Sequence, residues 1–447
     1  MSRVYHSDLY GLRKAKYEAL KRSHINSTDW QHIKPREPLY LFVPRDYALE
    51  AEYMRGWKIT DAMPVHSVGI VTARDRLTIG WTREELWKRV QDFGRLEAEE
   101  ARAKYSLGPD VRDWKVHLAQ QDVRSTGPDR ELVVRVLYRP FDVRFAYYTA
   151  RTRGFICMPR PEVMPNFLEG ENLGLIVTRQ TREHWDGFCT RTIAGHKCMA
   201  AYDINTICPQ YLYLRRGGKD DRLAATPWPR GKSGALSNLS HDFVSELDRR
   251  LRMDFVADGA GDLQDTFGPQ DVFDYIYAVF YCPSYRQRYA EFLKSDFPRV
   301  PVTSDVALFR ALCRLGAELV GLHLLESAKV HEHITSFPVP GDNQVAKRYP
   351  IYLAPGSKAP GVNEKLERGR VYMNKEQYFD GVPPEVWDFH VGGYQVCEKW
   401  LKDRRQRRLD IDELNHYQNV VVALNETIRL MADIDEVINA HGGWPIQ

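Results

Sequence analysis

A chain of 447 residues is too long for one ordinary hydrophobic core, so several domains or subdomains are expected. Its 43% apolar, 28% charged and 12% aromatic residues exclude a disordered or low-complexity chain. A net charge of +3 excludes a polycation that holds nucleic acid by bulk charge, so any such footprint must come from local clustering.

Elements can be read in chain order. Residues 11–22 (GLRKAKYEALKR) have the pattern of a short basic helix, and LYLFVP at 39–44 that of a buried strand ended by proline. Within 67–81, SVGIVT and LTIGW are β-like, with the polar ARDR between them as a turn or rim. Residues 83–106 are charged and helical in pattern. Residues 132–149 predict one or two strands, 172–181 (NLGLIVTRQT) a strand with a polar end, and 203–214 (DINTICPQYLYL) another. The Gly-, Pro-, Ser- and charge-rich residues 215–241 predict an exposed loop or linker and the best internal boundary.

Beyond it, 270–294 and 305–326 are helical, the second with Asp305 as N-cap and Leu308, Leu312, Leu315, Leu319 and His323 along one stripe. Residues 349–380 return to short strands. A long final helix opens on a capping-box pair, Asp410 and Glu413. Its apolar stripe steps through Leu414, Tyr417, Val421, Leu424, Ile428 and Met431 towards a stop at Gly442. The order predicts an α+β fold: a β-rich portion, helical subdomains and a long C-terminal helix, divided as 1–60, 61–215, 216–241, 242–335 and 336–447.

Seven cysteines at irregular spacing, with no C-x-x-C pair, argue against a disulfide framework or zinc knuckle and predict a reducing cytoplasm. No apolar run approaches the roughly 20 residues of a membrane span, and the opening MSRVYHSDLYGL has no signal-peptide pattern. Catalytic signatures are weak. Gly231-Lys232-Ser233 lacks the first glycine of a phosphate loop, since Thr226 stands there, and no apolar strand precedes it. Asp110, Asp113 and Lys115 lie too close together for the strand-separated carboxylates and lysine of a restriction nuclease. His331 and His333 lack a third ligand and fit a solvated turn better than a metal site. His323 fits a satisfied core histidine, and Cys198, beside His196, a small buried side chain.

Contacts to nucleic acid have more support. Residues 139–160 hold five arginines, no lysine and a single acid, Asp142, interleaved with Phe141, Phe145, Tyr147, Tyr148 and Phe155. Arginine's planar fork of donors matches phosphate oxygens and the guanine edge. Three polar clusters close β-like runs: residues 72–76, 178–182 and 195–197. Their Arg74, Arg76, Arg179, Gln180, His196 and Lys197 are the expected base contacts, since Arg pairs guanine and Gln pairs adenine. Arg139, Arg144, Arg151, Arg153, Arg160 and Arg182 are the expected backbone contacts. The bland alternative pairs some of these with internal acids, such as Arg144 with Asp142 and Arg74 with Asp75. The basic KWLKDRRQRR at 399–408 fits a helix end and solvated turn as well as it fits DNA.

Several long motifs resemble the C-terminal part of type ISP restriction-modification enzymes. They are GIVTARD, YRPFDVRFAYYT, RGFICMPRPEVM, NLGLIVTRQT, AYDINTICPQYLYL, VFDYIYAVFYCPSYRQRYAEFLKSDFPRVPV and YFDGVPPEVWDFHVGGYQVCEKWLKDR, in the family's order across almost the whole chain. In that family one polypeptide carries a nuclease, a helicase-like ATPase, an adenine-N6 methyltransferase and a C-terminal target recognition domain; this chain resembles the last. VYHSDLYGLRKAKYEAL resembles the end of the methyltransferase region, so Met1 falls partway along the family's chain, as part of a longer enzyme or of a split or decayed gene. The resemblance implies double-stranded DNA as partner, together with the methyltransferase and helicase/nuclease modules. It implies no metal or cofactor here, since S-adenosylmethionine, ATP and Mg would belong to those modules. The rival readings are a nuclease with an unrecognised site and a coupling module that binds no DNA.

Overall fold

An apolar run that does not alternate with polar residues needs cover on both faces, and the sequence holds several. In the computed structural model, which describes residues 3–37, 40–213, 234–358 and 365–446, the strands Gly174–Thr178, Gly187–Thr190 and Asn205–Pro209 are buried at every position. With Ser67–Val68 they form a four-stranded sheet whose order runs from Ser67–Val68 through Asn205–Pro209 and Gly174–Thr178 to Gly187–Thr190. A second four-stranded sheet is built on the antiparallel hairpin Val133–Arg139 and Asp142–Tyr147, flanked by Ile193–Ala194 and Ile79–Gly80. A register shift between Leu137 and Arg139 re-aims Tyr138.

The two sheets are tied where two segments meet. Ile70 N donates to Ala194 O at 2.8 Å and His196 N to Ile70 O at 3.0 Å. A Cβ on Gly69 would stand 2.4 Å from the Gly195 carbonyl carbon, so glycine is required for the approach. Helix Arg83–Arg95 covers the hairpin, and Phe155 packs between Phe93 and Tyr147 at ring distances of 5.8 and 5.6 Å. Helices Pro269–Tyr281 and Val306–His323 cover Gly187–Thr190, and Tyr281 OH donates to Gly187 O at 2.7 Å. Helix Ile411–Ala440 packs along Val306–His323, and its His416 Nε2 donates to the hairpin-turn carbonyl of Phe141 at 2.7 Å. The fold is α+β.

The chain divides into two compact units, residues 1–55 and 56–447. The expected portions 61–215, 242–335 and 336–447 thus lie within one unit. Of the expected linker, 216–233 and the Gly231-Lys232-Ser233 motif lie outside the described residues. Residues 235–239 are buried rather than exposed, because Leu236–Ser237 pairs with Tyr211–Leu212 and Asn238 Nδ2 donates to the carbonyls of Val65 and Pro209. The expected strand at 39–44 is also absent from the described residues 40–44. Tyr40, Phe42 and Val43 are exposed there, and no strand pairs with them. Within residues 1–55, the hairpin Val4–His6 with Gln31–Ile33 encloses helix Arg13–Arg22.

The capping expectations hold. Asp305 accepts from Ala307 N and Leu308 N, and Glu413 N donates to Asp410 at 2.8 Å. The helix expected at 270–294 breaks at Pro283, which cannot continue it. The final stripe drifts: after Leu424 the buried residues are Thr427, Leu430, Ile434 and Ile438, leaving Ile428 and Met431 half-covered. A straight helix turns once per 3.6 residues, so a 3-4-3-4 pattern slips out of phase over 30 residues.

Candidate nucleic-acid interface

The junction between the sheets gathers several of the expected residues. Asp75 bonds the Thr72 hydroxyl and accepts from Tyr138 OH at 2.9 Å. Arg139 Nη1 donates to the carbonyls of Tyr138 at 2.6 Å and Lys197 at 3.1 Å, and its guanidinium lies over the Tyr138 and Tyr394 rings. His196 Nδ1 lies 3.0 Å from Ile70 O. A carbonyl only accepts, so Nδ1 carries the proton and Nε2 is left as an acceptor. Burial lowers the His196 pKa and keeps the ring neutral. Together these groups line a cavity of about 90 Å³.

Three loops surround this junction. In the first, Arg74 is held by its Nη2 bond to Pro109 O at 3.0 Å and by its position 5.1 Å from the Trp114 ring centroid. It does not pair with Asp75. Arg76 is exposed and bonds none of the described residues.

The second loop follows strand Gly174–Thr178. The Arg179 side chain is 70% exposed, its Nε 3.8 Å from Asp296, and Gln180 is exposed without a partner among the described residues. Thr181 is buried, with its N bonded to Lys294 O, while Arg182 is exposed and its N donates to Asp203 at 2.9 Å. Through Asp203 this loop meets residues 196–205, where Lys197 Nζ donates to Ala201 O at 3.3 Å and Ala201 N to Glu183 at 3.2 Å.

The third loop carries Arg151, Arg153 and Arg160. The structure pins it on one buried carboxylate. Asp122 Oδ2 accepts from Thr149 Oγ1 and Phe155 N, both at 2.8 Å, and a Cβ on Gly154 would meet that oxygen. Burial raises the Asp122 pKa despite these bonds. Val71 and Met158 pair as an antiparallel bridge, bringing this loop to the first. Arg151 and Arg153 point outwards, Arg151 bonded to Ser125 Oγ and Arg153 3.8 Å from Asp113. Arg160 is half-buried against Met158.

Arg144 is the clear correction. Its side chain is 9% exposed and pairs with Asp142 at 2.7 Å, stacked between Trp81 at 3.7 Å and Tyr138 at 3.9 Å. No phosphate can reach a guanidinium so enclosed. Asp142 also accepts from Arg404 Nη2 at 3.0 Å. Burial alone would raise the Asp142 carboxyl, but Arg404 and Arg144 outweigh it and hold it well below the usual carboxylate range. Arg404 is itself buried over Trp400, so the basic run at 399–408 contributes a core ion pair rather than only a solvated turn. Phe141 and Tyr147 are core.

Sequence reasoning missed two exposed apolar residues in the segment between Lys197 and strand Asn205–Pro209. Tyr202 is 73% and Ile204 51% exposed. Local pattern did not mark them, because residues 201–203 form a bend in which the fold buries Asp203 between them.

Among the described residues no three His, Cys, Asp or Glu side chains gather as a metal site. Asp110 pairs with Arg102 at 3.0 Å and Asp113 with Arg112 at 2.8 Å. His333 bonds the Asn419 side chain at 2.6 Å, and His331 is exposed. His323 sits between Tyr277 OH at 2.6 Å and Thr427 Oγ1 at 2.8 Å, pushed down to about 3 by burial. The buried Cys198 thiol is pushed up to about 12, and all seven cysteines are free and buried.

The type ISP C-terminal specificity domain matches residues 61–433. The chain belongs to that family. This specificity domain also resembles solved structures in fold. A nuclease-deletion mutant of the type ISP restriction-modification enzyme LlaGI, in complex with a DNA substrate mimic, aligns with a TM-score of 0.64 and 18% identity over 96% of this chain and 33% of that one. The DrdV–DNA complex aligns with a TM-score of 0.64 and 18% identity, over 94% and 42% of the two chains. The ATP-dependent type ISP enzyme LlaBIII bound to DNA aligns with a TM-score of 0.61 and 16% identity, over 91% and 26%. The chain thus spans between about a quarter and two fifths of the length of these proteins. No curated protein matches it. Among the described residues no helix is long and apolar enough to cross a membrane.

Proposed function

We propose that this specificity domain reads the sequence of double-stranded DNA for a type ISP restriction-modification enzyme. It would fix the register of the duplex so that a methyltransferase module can flip an adenine into its own pocket. The observation that carries the reading is the joining of three arginine-bearing loops around the sheet junction, at residues 72–76, 151–160 and 179–204. Arg76, Arg179, Gln180, His196 Nε2 and Lys197 are the base-reading groups, with Arg74 and Arg139 bracing them from the Trp114 and Tyr394 rings. Arg151, Arg153, Arg160 and Arg182 face the phosphates. S-adenosylmethionine, ATP and Mg belong to the methyltransferase and helicase/nuclease modules, and the domain works beside them in the cytoplasm without a cofactor of its own.

The test is binding of the 447-residue chain to a random duplex library at several salt concentrations, with the bound fraction sequenced. The expected result is an enriched motif and a log–log salt slope of roughly −4, from about four or five neutralised phosphates. Binding with neither a motif nor a salt slope would overturn the reading.

A further inference from the structure

We propose that Tyr202 and Ile204 form an apolar pair that reads the 5-methyl groups of thymine in the major groove. The inference rests on the DNA-reading function proposed above and assigns part of its specificity. Among the described residues of the 56–447 unit, Tyr202 is the most exposed large apolar side chain and the one aromatic among those exposed. Residues 201–203 form a bend in which Asp203 is buried and accepts from Arg182 N, while Tyr202 and Ile204 on either side of it are both exposed.

The segment that carries them is firmly held. Asn205 Oδ1 accepts from Met199 N at 2.8 Å and Ala200 N at 3.3 Å, Glu183 accepts from Ala201 N, and Asn205 N donates to His196 O at 2.8 Å. An exposed tyrosine on a fixed segment costs little ordering entropy on contact. Its surroundings select the partner: Lys197 Nζ bonds the Ala201 carbonyl, and Arg182, whose side chain is exposed, bonds Asp203 through its backbone N. Cations on the segments bonded to an apolar pair suit a polyanion that carries apolar groups. On the major-groove edge of DNA that group is the thymine methyl.

The probe is the duplex enriched by the wild-type chain, remade with each thymine in turn replaced by deoxyuridine. This removes the methyl and leaves every hydrogen-bonding group in place. At one or two positions deoxyuridine should weaken wild-type binding roughly 4-fold, the worth of one buried methyl-sized group. Tyr202→Ser/Ile204→Ser should bind the parental duplex more weakly and no longer distinguish thymine from deoxyuridine. Tyr202→Ser alone should lose part of that discrimination. Both side chains are exposed, so an unchanged thermal unfolding midpoint is expected and checks the fold. The inference is overturned if wild type discriminates at no position, or if the double variant discriminates as wild type does. It is also overturned if DNA binding is untouched while association with a methyltransferase module is lost. An enriched motif with any of these results leaves the DNA-reading function standing; no motif and no salt slope removes both.

Discussion

Arg144, within strand Asp142–Tyr147, and Arg179, just after strand Gly174–Thr178, are the same residue type, yet one is sealed against Asp142 and Trp81 and the other is largely in solvent. Only the second kind can meet DNA. Arg179→Ala or Gln180→Ala should relax sequence preference by about 1–3 kcal/mol at one position. Arg153→Ala should instead weaken all duplexes alike and reduce the salt slope by about 1. Competition between selected and mutated sites measures both, and identical behaviour would refute the division of labour. Arg404→Met should destabilise the protein by about 3 kcal/mol, because part of the Asp142 charge is left buried without its partner. Urea unfolding would register this, and Asp142→Asn in the same chain should restore part of the loss. Since the folded-state pKa of Asp142 is lowered, its contribution is full above its unfolded value of about 3.9 and falls away as pH drops below it.

At the scale of elements, loop 149–157 depends on a residue far from it in sequence. Asp122 ends no motif, but both loop donors converge on its Oδ2. Asp122→Ala would leave the Phe155 N–H buried without an acceptor, at a cost of about 1–3 kcal/mol. Trypsin should then cleave after Arg151 and Arg153 faster than in wild type, while an unchanged cleavage rate would show the loop to be held by its other contacts. The final helix teaches a related lesson. Its start was legible because a capping box is local, and its lower half was not, because the neighbours decide which phase of a drifting stripe is covered.

At the scale of the whole molecule, burial sets one acid–base balance that no local pattern reveals. Asp274 lies in the buried helix Pro269–Tyr281, bonded to Gln270 Nε2 at 3.0 Å, and burial pushes its carboxyl up to about 7. A folded-state pKa above the unfolded value favours the proton-bound form. Stability from this group is therefore fully present below about pH 3.9 and is lost as pH rises through about 7. Asp274→Asn should gain on wild type by about 2–4 kcal/mol between pH 4 and pH 8, read from urea midpoints at each pH. A constant difference between the two proteins would refute the shift.

The α+β class, strand structure at 132–149, the strand at 172–181 and both Asp helix caps were legible in sequence because periodicity and capping act over a few residues. Satisfied His323 was legible from its place on an apolar helical stripe. The strand expected at 39–44 failed over its described residues 40–44 because a strand also needs a partner strand, and an apolar run alone does not provide one. The arginine-rich stretch at 139–160 fixed the kind of chemistry on offer, but not which arginine would offer it. That choice fell to tertiary structure: Asp142 recruits Arg404 from 262 residues away and encloses Arg144, while Asp122 holds Arg151 and Arg153 outwards. A guanidinium's use depends on what faces it: the acid for Arg144 lies two residues away and is legible as its partner, but the Trp81 and Arg404 that seal the pair, and the Asp122 that pins the next loop, come from distant segments.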